Sequence, residues 1–379
     1  MDIAIWGAGK FGSYVGGKLI KKHTIICYID NNAENMEDVL GIRVVSPSDY
    51  MENYAQKVDT VLIAVLDYYK VYEQVCRMGI DGFGIIDRLV YRCRLGIADD
   101  ILRDPNIVFR SDYDGKRYRM KKLETNVVDF CNLNCKGCSH FSNLFPHGAA
   151  VGYESFEKDI IHLSRDVFIG HFDLLGGEAF LSERLADYIV CLRRYMPKTT
   201  ITIVSNGTLI PRQSSELLSC IRKNRVLVSI TEYPSTSKLR NEIISTLEKA
   251  GIMYEFRKVA ETFGKNIDLT GGNDPYKAQT ECRESRCHFL RNGKIYKCPF
   301  SALGGHFFEQ YNIPLHFEEG LDIYDENIDL GQAFKDLDTK PIMLCRFCGK
   351  EERFAWEASG KPESEDWIVG KTDILGMGK

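Results

Sequence analysis

The stretch Cys131-Asn132-Leu133-Asn134-Cys135-Lys136-Gly137-Cys138 brings three thiols into one short segment, directly after the strand-like run Asn126 to Phe130. A cubane iron–sulfur cluster has four irons and is normally held by four thiolates, so three cysteines leave one iron open to a small molecule. A structural zinc site also uses cysteines. The segment therefore predicts a metal centre and by itself leaves both kinds of centre open.

The composition limits the class of protein. The chain has 379 residues, 44% of them hydrophobic, which is enough for two or three domains. Its 13 cysteines would suggest disulfides in a secreted protein. However, Met1 to Gly7 has no basic region or cleavage site, and no apolar run approaches the length of a membrane span. We therefore expect a cytoplasmic protein whose clustered cysteines bind metal or do chemistry, with no membrane partner. The net charge of -4 argues against a nucleic-acid partner.

The first part of the chain alternates strand and helix patterns. The periodicity predicts strands over 2–6, 24–28, 58–65 and 82–86 and a helix over 13–22. Such alternation indicates an α/β fold with a doubly wound parallel sheet. We predict a Rossmann-like, nucleotide-binding-type domain over residues 1–92.

A glycine turn lies between the first strand and the first helix of that domain. Gly7, Gly9 and Gly12 have the spacing of the dinucleotide fingerprint, and Asp30 follows at about the right distance to accept from a ribose hydroxyl. These four residues are candidates to bind a nucleotide, a dinucleotide or a nucleotide sugar. Packing alone also needs small residues at such a turn, so a scaffold role stays open. Residues 41–47 resemble small Rossmann domains attached to bacterial glycan-biosynthesis enzymes.

A second strand and helix series follows a polar linker, residues 93–122. The predicted strands cover 123–129, 172–175, 200–204, 226–231 and 253–259. They indicate a partial (β/α)6 barrel over residues 123–270, whose site lies at the C-terminal ends of the strands. Cys131 follows the first of those ends.

The Cys-x-x-x-Cys-x-x-Cys spacing at the end of a first barrel strand resembles the radical S-adenosylmethionine (SAM) enzymes. The resemblance implies that Cys131, Cys135 and Cys138 hold a [4Fe–4S] cluster whose open iron binds SAM. It also implies a reductant such as flavodoxin or ferredoxin. Reduction then cleaves SAM to a 5′-deoxyadenosyl radical, which takes a hydrogen atom from the substrate.

Further motifs carry the same resemblance. Gly176-Gly177-Glu178 is similar to the Gly-Gly-Glu motif, which implies that the glycines admit the ligand and that Glu178 pairs with the SAM ammonium. Ser205 and Asn206 are similar to the turn that ends the third strand in many members.

Two parts of the motif stay open. Either Ser229 or Thr231 is placed to meet the SAM ribose, and our choice is Ser229. The residue before the third cysteine is usually aromatic and packs near adenine, but here it is Gly137, and Phe141 is the candidate substitute.

A second cysteine set lies downstream, at Cys282, Cys287, Cys298, Cys345 and Cys348. Asn292-Gly293 is the strongest short signal for a hairpin turn. Counting outward from that turn pairs Cys287 with Cys298, whose β-carbons would then be about 4.5–5.5 Å apart.

This pattern resembles the twitch and SPASM extensions of radical SAM enzymes, which implies an auxiliary [4Fe–4S] cluster in residues 271–379, a segment that ends in a C-terminal tail. The predicted ligands are Cys287, Cys298, Cys345 and Cys348, with zinc as the alternative metal. Cys282 is then the candidate catalytic hydrogen donor; replacement of Cys287 as a ligand and a bystander role are the alternatives.

An auxiliary cluster with four protein ligands favours electron transfer and hence oxidation. The leading hypothesis is a radical SAM enzyme, an oxidoreductase or epimerase, that acts on a sugar or nucleotide sugar in bacterial glycan biosynthesis. The alternatives are a radical SAM maturase of peptides or proteins and a non-catalytic iron–sulfur redox or nucleotide sensor.

Overall fold

The computed structural model describes residues 1–92, 108–109, 117–149 and 152–370. Much of the predicted linker and the end of the predicted C-terminal tail lie outside these residues. The chain forms two compact units, Met1–Asp114 and Gly115–Lys379. In the described part of the chain, no helix has the length and apolar character of a membrane span.

The N-terminal unit is a six-stranded sheet with helices between its strands. Its strands are β1 Asp2–Trp6, β2 Thr24–Ile29, β3 Val44–Val45, β4 Thr60–Ile63, β5 Phe83–Ile86 and β6 Val108–Phe109. Its helices are α1 Lys10–Leu19, α2 Pro47–Asp49, α3 Tyr69–Arg77 and α4 Leu89–Arg92, with a π-helical turn at Tyr50–Tyr54. The strand order is β3-β2-β1-β4-β5-β6, and only β6 runs antiparallel to its neighbour.

Successive side chains of β1 enter different cores because they point to opposite faces of the strand. Ile3 and Ile5 pack with the buried face of α1, whereas Ala4 and Trp6 pack with the buried face of α3. The sheet is therefore covered on both faces, as predicted for a doubly wound fold.

The glycines of α1 allow it to lie close to the sheet. A β-carbon at Gly12 would lie 1.7 Å from the carbonyl oxygen of Gly7, and one at Gly16 would lie 1.8 Å from the hydroxyl of Tyr28. In contrast, a β-carbon at Gly17 would meet only Leu40, at 3.9 Å.

The C-terminal unit contains twelve strands in its described residues. They are β7 Tyr118–Met120, β8 Leu123–Val128, β9 Val167–Ile169, β10 His171–Gly176, β11 Thr200–Ser205, β12 Leu227–Ile230, β13 Tyr254–Phe256, β14 Thr262–Ile267, β15 Phe289–Arg291, β16 Lys294–Tyr296, β17 Leu321–Asp322 and β18 Cys348–Ala355. The helices are α5 Tyr153–Asp166, α6 Leu185–Tyr195, α7 Ser215–Lys223, α8 Pro234–Ala250, α9 Pro275–Glu281, α10 Pro299–Gln310 and α11 Leu330–Thr339.

Eight of these strands form one open sheet in the order β13-β12-β11-β10-β8-β15-β16-β17. The strands β8 and β10 to β13 are parallel neighbours in chain order, which confirms the predicted α/β fold with parallel sheets. The strand β15 adds to the other edge of β8 in parallel, and β16 and β17 follow antiparallel. The hairpin of the predicted auxiliary segment thus extends the sheet of the predicted barrel.

The hairpin has the register counted from its turn. Arg291 pairs with Lys294, and the ladder ends at Phe289 and Tyr296. Asn292 and Gly293 both have positive φ, as a two-residue type I′ hairpin turn requires.

An ion pair fixes this hairpin to β8. The Arg291 guanidinium donates to both carboxylate oxygens of Asp129, at 3.0 and 2.9 Å. Asp129 also accepts from the amide of Asn126 at 2.9 Å. Asp129 is therefore held by Arg291 of the hairpin and by Asn126 of β8 at the point where the chain leaves β8 for the cysteine segment.

Replacing Gly12 by alanine should destabilise the N-terminal unit, because the new methyl group meets the Gly7 carbonyl and α1 has to move away. We expect a loss of about 1–3 kcal/mol, the usual cost of overpacking. Scanning calorimetry of the intact chain measures it. The matched control is Gly17→Ala in the same helix, which we expect to be neutral or stabilising. Equal melting of Gly12→Ala and the wild type would contradict the proposed close packing.

Candidate functional site

The three-cysteine segment leaves β8 at the edge of the sheet where the parallel strands β10 and β11 also end. We call residues 131–138 the cysteine loop. Its turns use positive φ at Asn134 and Gly137. Among the residues that the structure describes, no three or more His, Cys, Asp or Glu side chains converge as ligands of a single ion do. A cubane attaches each protein ligand to a different iron.

Nitrogen donors surround two of the sulfurs in the cysteine loop. The backbone N–H of Leu133 donates to the Cys131 Sγ at 3.4 Å, and the indole N–H of Trp356 donates to the Cys135 Sγ at 3.3 Å. Burial raises the pKa of the Cys131 thiol and raises that of Cys135 to about 12. Both thiols are therefore protonated without metal, and metal binding has to release those protons. Three thiols, two of them with N–H donors to sulfur, are a donor set that suits an iron–sulfur cluster.

The two predicted ligand-facing glycines pack against the backbone that leads into the cysteine loop. A β-carbon at Gly176 would lie 2.2 Å from the carbonyl oxygen of Val128. One at Gly177 would lie 2.1 Å from the carbonyl oxygen of Phe130 and 2.5 Å from the nitrogen of Cys131. These glycines were expected to make room for a ligand, but the space beside them holds the backbone that leads into the cysteine loop.

Glu178 connects the ends of two strands. Its carboxylate is fully buried and accepts from the Ser205 hydroxyl at 2.7 Å, from the Asn206 backbone N–H at 2.7 Å and from the Phe180 backbone N–H at 3.1 Å. Burial raises the pKa of Glu178. Glu178 therefore lies beside the cysteine loop, and its hydrogen bonds hold the end of β10 against the end of β11.

A ring of amide and hydroxyl groups links the turn after β11 to the cysteine loop. The Asn206 amide donates to the Asn132 side-chain oxygen at 2.9 Å, the Asn132 amide donates to the Thr208 hydroxyl at 2.9 Å, and Thr208 donates back to Asn206 at 2.6 Å. Sequence reasoning selected Asn206 and missed Asn132 and Thr208. Only the pairing of two distant turns makes their roles visible.

Aromatic residues that sequence reasoning did not select lie beside the cysteines. Burial raises the pKa of the Tyr233 hydroxyl well above its usual value, and all three loop thiols and Glu178 add to the shift. The rings of Tyr233 and Trp356 are 5.5 Å apart. Phe141, the expected aromatic substitute, is instead 1% exposed and packs against Phe307 in a separate core.

Ser229 lies in β12 and is fully buried. Its hydroxyl donates to Glu255 at 2.8 Å and accepts from the Arg257 guanidinium at 2.9 Å. The backbone N–H of Thr231 donates to the carbonyl of Ser205. The structure thus places the Ser229 hydroxyl between the Glu255 carboxylate and the Arg257 guanidinium, and it places Thr231 nearer to the turn after β11.

A set of charged side chains crosses the same face of the sheet, and we call it the inner polar face. Glu124, Asp173 and Thr202 are side by side in the register of β8, β10 and β11. The Lys122 ammonium is 2.7 Å from Glu124 and 3.0 Å from Asp173. His171 is 2.5 Å from Asp173 and 2.9 Å from Thr202. Sequence reasoning missed this set because its members lie on or next to three strands that are far apart in the chain.

The pKa values of the two carboxylates of the inner polar face are shifted in opposite directions. Burial alone would raise the pKa of Asp173, but His171 and Lys122 hold it well below its usual range. In contrast, burial raises the pKa of Glu124 although Lys122 opposes the shift. Asp173 therefore stays ionised, and Glu124 takes up a proton more readily.

In the downstream set, the structure brings together Cys282, Cys298, Cys345 and Cys348. Helix α9, which Cys282 caps, packs against the turn Met343–Phe347, which carries Cys345. Burial raises the pKa of Cys348, and the thiols of Cys298, Cys345 and Cys282 raise it further. These four thiols are therefore neighbours.

Cys287 lies apart from these four. Phe289 pairs with Glu124, and Cys287, two residues before Phe289, lies near enough for the charges of Glu124 and Lys122 to act on its thiol. Burial raises the pKa of its thiol to about 12, and Glu124 adds to the shift. The structure thus differs from the predicted grouping of Cys287 with Cys298, because the ladder ends at Tyr296 and Cys298 instead caps α10. Cys282 instead lies beside Cys298, Cys345 and Cys348.

The candidate nucleotide residues of the N-terminal unit have internal partners. Asp30 accepts from the backbone N–H groups of Ala8 and Asn32, each at 3.0 Å. Gly7 has φ +119, and its β-carbon position is 2.7 Å from the carbonyl oxygen of Ala64. Gly9 has open space beside it. Close packing therefore accounts for glycine at residues 7 and 12, and hydrogen bonds to nearby backbone N–H groups account for Asp30. None of these three residues needs a ligand to explain it.

Two protein families match parts of this chain. Residues 114–242 match the family described as "4Fe-4S single cluster domain". The matched residues include the cysteine loop and Gly176-Gly177-Glu178. Residues 1–86 match the family described as "C2185-like, N-terminal".

Curated relatives are named GTP 3',8-cyclase. The protein of Thermodesulfovibrio yellowstonii is 31% identical over 111 residues, 28% of this chain and 34% of its own length. That of Petrotoga mobilis is 26% identical over 160 residues, 42% of this chain and 46% of its own length. The chain therefore spans less than half the length of these relatives.

Solved structures of similar chains include BtrN in complex with AdoMet and 2-DOIA, at 15% identity and a TM-score of 0.37, over 66% of this chain and 98% of that one. Another is anSMEcpe with bound AdoMet, at 18% identity and a TM-score of 0.29, over 36% of this chain and 43% of that one.

The cysteine loop and the Gly-Gly-Glu motif packed against it both lie within residues 114–242, the part of the chain that matches the 4Fe-4S single cluster domain, and both motifs are those of the radical SAM superfamily, whose cofactors are a [4Fe–4S] cluster and SAM.

Proposed function

We propose that this chain is a radical SAM enzyme that takes a hydrogen atom from a small polar substrate, with a sugar or nucleotide sugar of bacterial glycan biosynthesis as the leading class. The observation that carries the proposal is the inner polar face, where buried carboxylates and an ammonium cross the sheet below the cysteine loop. Buried carboxylates need polar partners, and the hydroxyl and amino groups of sugars are such partners.

Distance along the strands supports this arrangement. Glu124 precedes the end of β8 by four residues, which is about 13 Å of extended chain. A cofactor at the cysteine loop and a substrate on the inner polar face therefore both fit along the same strands.

Cys131, Cys135 and Cys138 would hold the first cluster. Cluster and SAM together supply a 5′-deoxyadenosyl radical when bound. In this proposal Glu178 and Asn206 keep the strand ends beside the cofactor in place through the hydrogen bonds described above.

The inner polar face would orient the substrate and move its proton. Asp173 and Lys122 bind hydroxyl groups as an ionised pair. Dehydrogenation of an alcohol removes a hydrogen atom from carbon, then one electron and the hydroxyl proton. Glu124 accepts that proton, because its raised pKa makes it the better base of the two carboxylates.

The second cysteine set would hold an auxiliary [4Fe–4S] cluster, with Cys282, Cys298, Cys345 and Cys348 as ligands. Such a cluster supplies an acceptor for the remaining electron. Cys287, on the inner polar face, replaces Cys282 as the thiol nearest to the substrate. A redox-neutral epimerisation would use that thiol as its hydrogen donor.

The iron content of two variants tests the auxiliary ligands. After anaerobic reconstitution we expect about eight irons per chain in the wild type, about four in Cys282→Ala and about eight in Cys287→Ala, because only Cys282 neighbours the other three thiols. Iron and acid-labile sulfide analysis measures this. The opposite pattern in the two variants would restore Cys287 as the ligand.

Substrate class is tested by the rate of 5′-deoxyadenosine formation from SAM in the reduced protein. We expect a nucleotide sugar to accelerate it, and Glu124→Gln to raise the KM for that substrate about tenfold by loss of a charge-assisted hydrogen bond. The control Glu154→Gln, at an exposed carboxylate paired with Arg184, should change nothing. Acceleration by peptides alone would favour a maturase, and absence of SAM cleavage would favour a sensor.

The acid limb of the pH profile tests Glu124 as the base. A base works only when deprotonated, so kcat/KM should fall as the pH drops through the raised pKa of Glu124. The limb should therefore lie above the range of an ordinary glutamate. It should disappear from the profile of Glu124→Gln. An unchanged limb in that variant would assign the proton to another group.

A further inference from the structure

The C-terminal segment Phe354 to Trp367 lies directly on the cysteine loop, and we call it the C-terminal strap. The backbone N–H of Lys136 donates to the carbonyl of Glu357 at 3.0 Å, and that of Ser359 donates to the carbonyl of Asn134 at 2.7 Å. Cys135 and Ala358 form an antiparallel bridge between these bonds. The loop that carries the three cysteines is therefore paired with a second chain segment as strands are.

Side chains reinforce this pairing. The Lys136 ammonium is 2.8 Å from the Glu357 carboxylate. The Trp367 indole N–H donates to the backbone carbonyl of Cys138 at 2.8 Å, and the Trp356 indole N–H donates to the Cys135 sulfur at 3.3 Å. Two tryptophans of one segment thus hold two of the three cysteines, one through sulfur and one through the backbone.

The C-terminal strap also explains the unusual residue before the third cysteine. Gly137 has φ +62, and a β-carbon there would lie 2.8 Å from the carbonyl oxygen of Asp366 and 2.9 Å from the ring of Phe354. The strap therefore occupies the space that an aromatic side chain at residue 137 would need.

From these contacts we infer that Trp356 is a positioning residue that raises the reduction potential of the first cluster through its hydrogen bond to the Cys135 sulfur. The inference rests on the proposed role of Cys135 as a cluster ligand. An N–H donor to a ligand sulfur stabilises the reduced cluster, which carries the larger negative charge, and hydrogen bonds to sulfur are among the factors that set cluster potentials.

The origin of the strap adds a structural link between the two cysteine sets. The strap continues from β18, which begins at Cys348 and pairs with β14. A single continuous segment thus runs from a proposed auxiliary ligand to the sulfur of a proposed ligand of the first cluster.

The test compares Trp356→Phe with Trp367→Phe. Both variants keep an aromatic ring and lose one indole N–H, but only Trp356 donates to sulfur. In an EPR-monitored redox titration, the first cluster is recognised by the change in its signal when SAM is added. We expect a more negative midpoint potential in Trp356→Phe and the wild-type potential in Trp367→Phe. Equal potentials in Trp356→Phe and the wild type, with the cluster loaded in both, would overturn the inference.

A second measurement covers the case in which Trp356→Phe does not load its cluster. In wild-type protein labelled with 15N in the tryptophan indole, electron–nuclear double resonance should show a 15N coupling to the first cluster, and this coupling should persist in Trp367→Phe. Absence of the coupling would equally overturn the inference. Failure of the proposed function is distinguishable, because the wild type would then show no SAM-responsive cluster signal.

Discussion

The contact of Gly177, directly after β10, with the backbone that enters the cysteine loop is the constraint on which the site depends. The Phe130 carbonyl oxygen lies 2.1 Å from the position of a β-carbon at Gly177, so any other residue there would force the loop away from the sheet. Because the loop lies against β10, Glu178 can reach the turn after β11 and Asn206 can reach Asn132. The C-terminal strap closes the loop from the other side through Lys136 and Trp356. The cysteines are thus held by three separate parts of the chain.

The inner polar face places two neighbouring carboxylates, Glu124 and Asp173, in different electrostatic environments on one sheet. Two buried carboxylates share the Lys122 ammonium, and His171 completes the set. Charges at such depth are stable only when they are paired. The pairing leaves Asp173 ionised and Glu124 nearer to protonation, and environments that separate two carboxylates in this way suit acid and base work. The charges of the inner polar face therefore suit a polar substrate.

The two cysteine sets differ in how far sequence could predict them. The cysteine loop is local, since its three thiols lie within one turn-rich segment, and spacing alone predicts that they face a common centre. The downstream thiols depend on where a hairpin ladder ends and on how α9 packs against residues 343–347. The counted register was right as far as Phe289 and Tyr296. Beyond that point Cys298 caps a helix and Cys287 stays beside β8, so the count no longer describes the cysteines.

Sequence by itself determined the alternation of strands and helices, the parallel sheets, the hairpin turn and the superfamily motifs, because each depends on residues that are near one another in the chain. Only tertiary structure decided the rest. It separated Cys287 from Cys282, placed Phe141 in a core, filled the space beside Gly176 and Gly177 with backbone, and brought Trp356 to Cys135. It also assembled Lys122, Glu124 and Asp173 into one set. These outcomes depend on the pairing of segments that are far apart in the chain. The spacing of residues along the sequence does not indicate which distant segments pair.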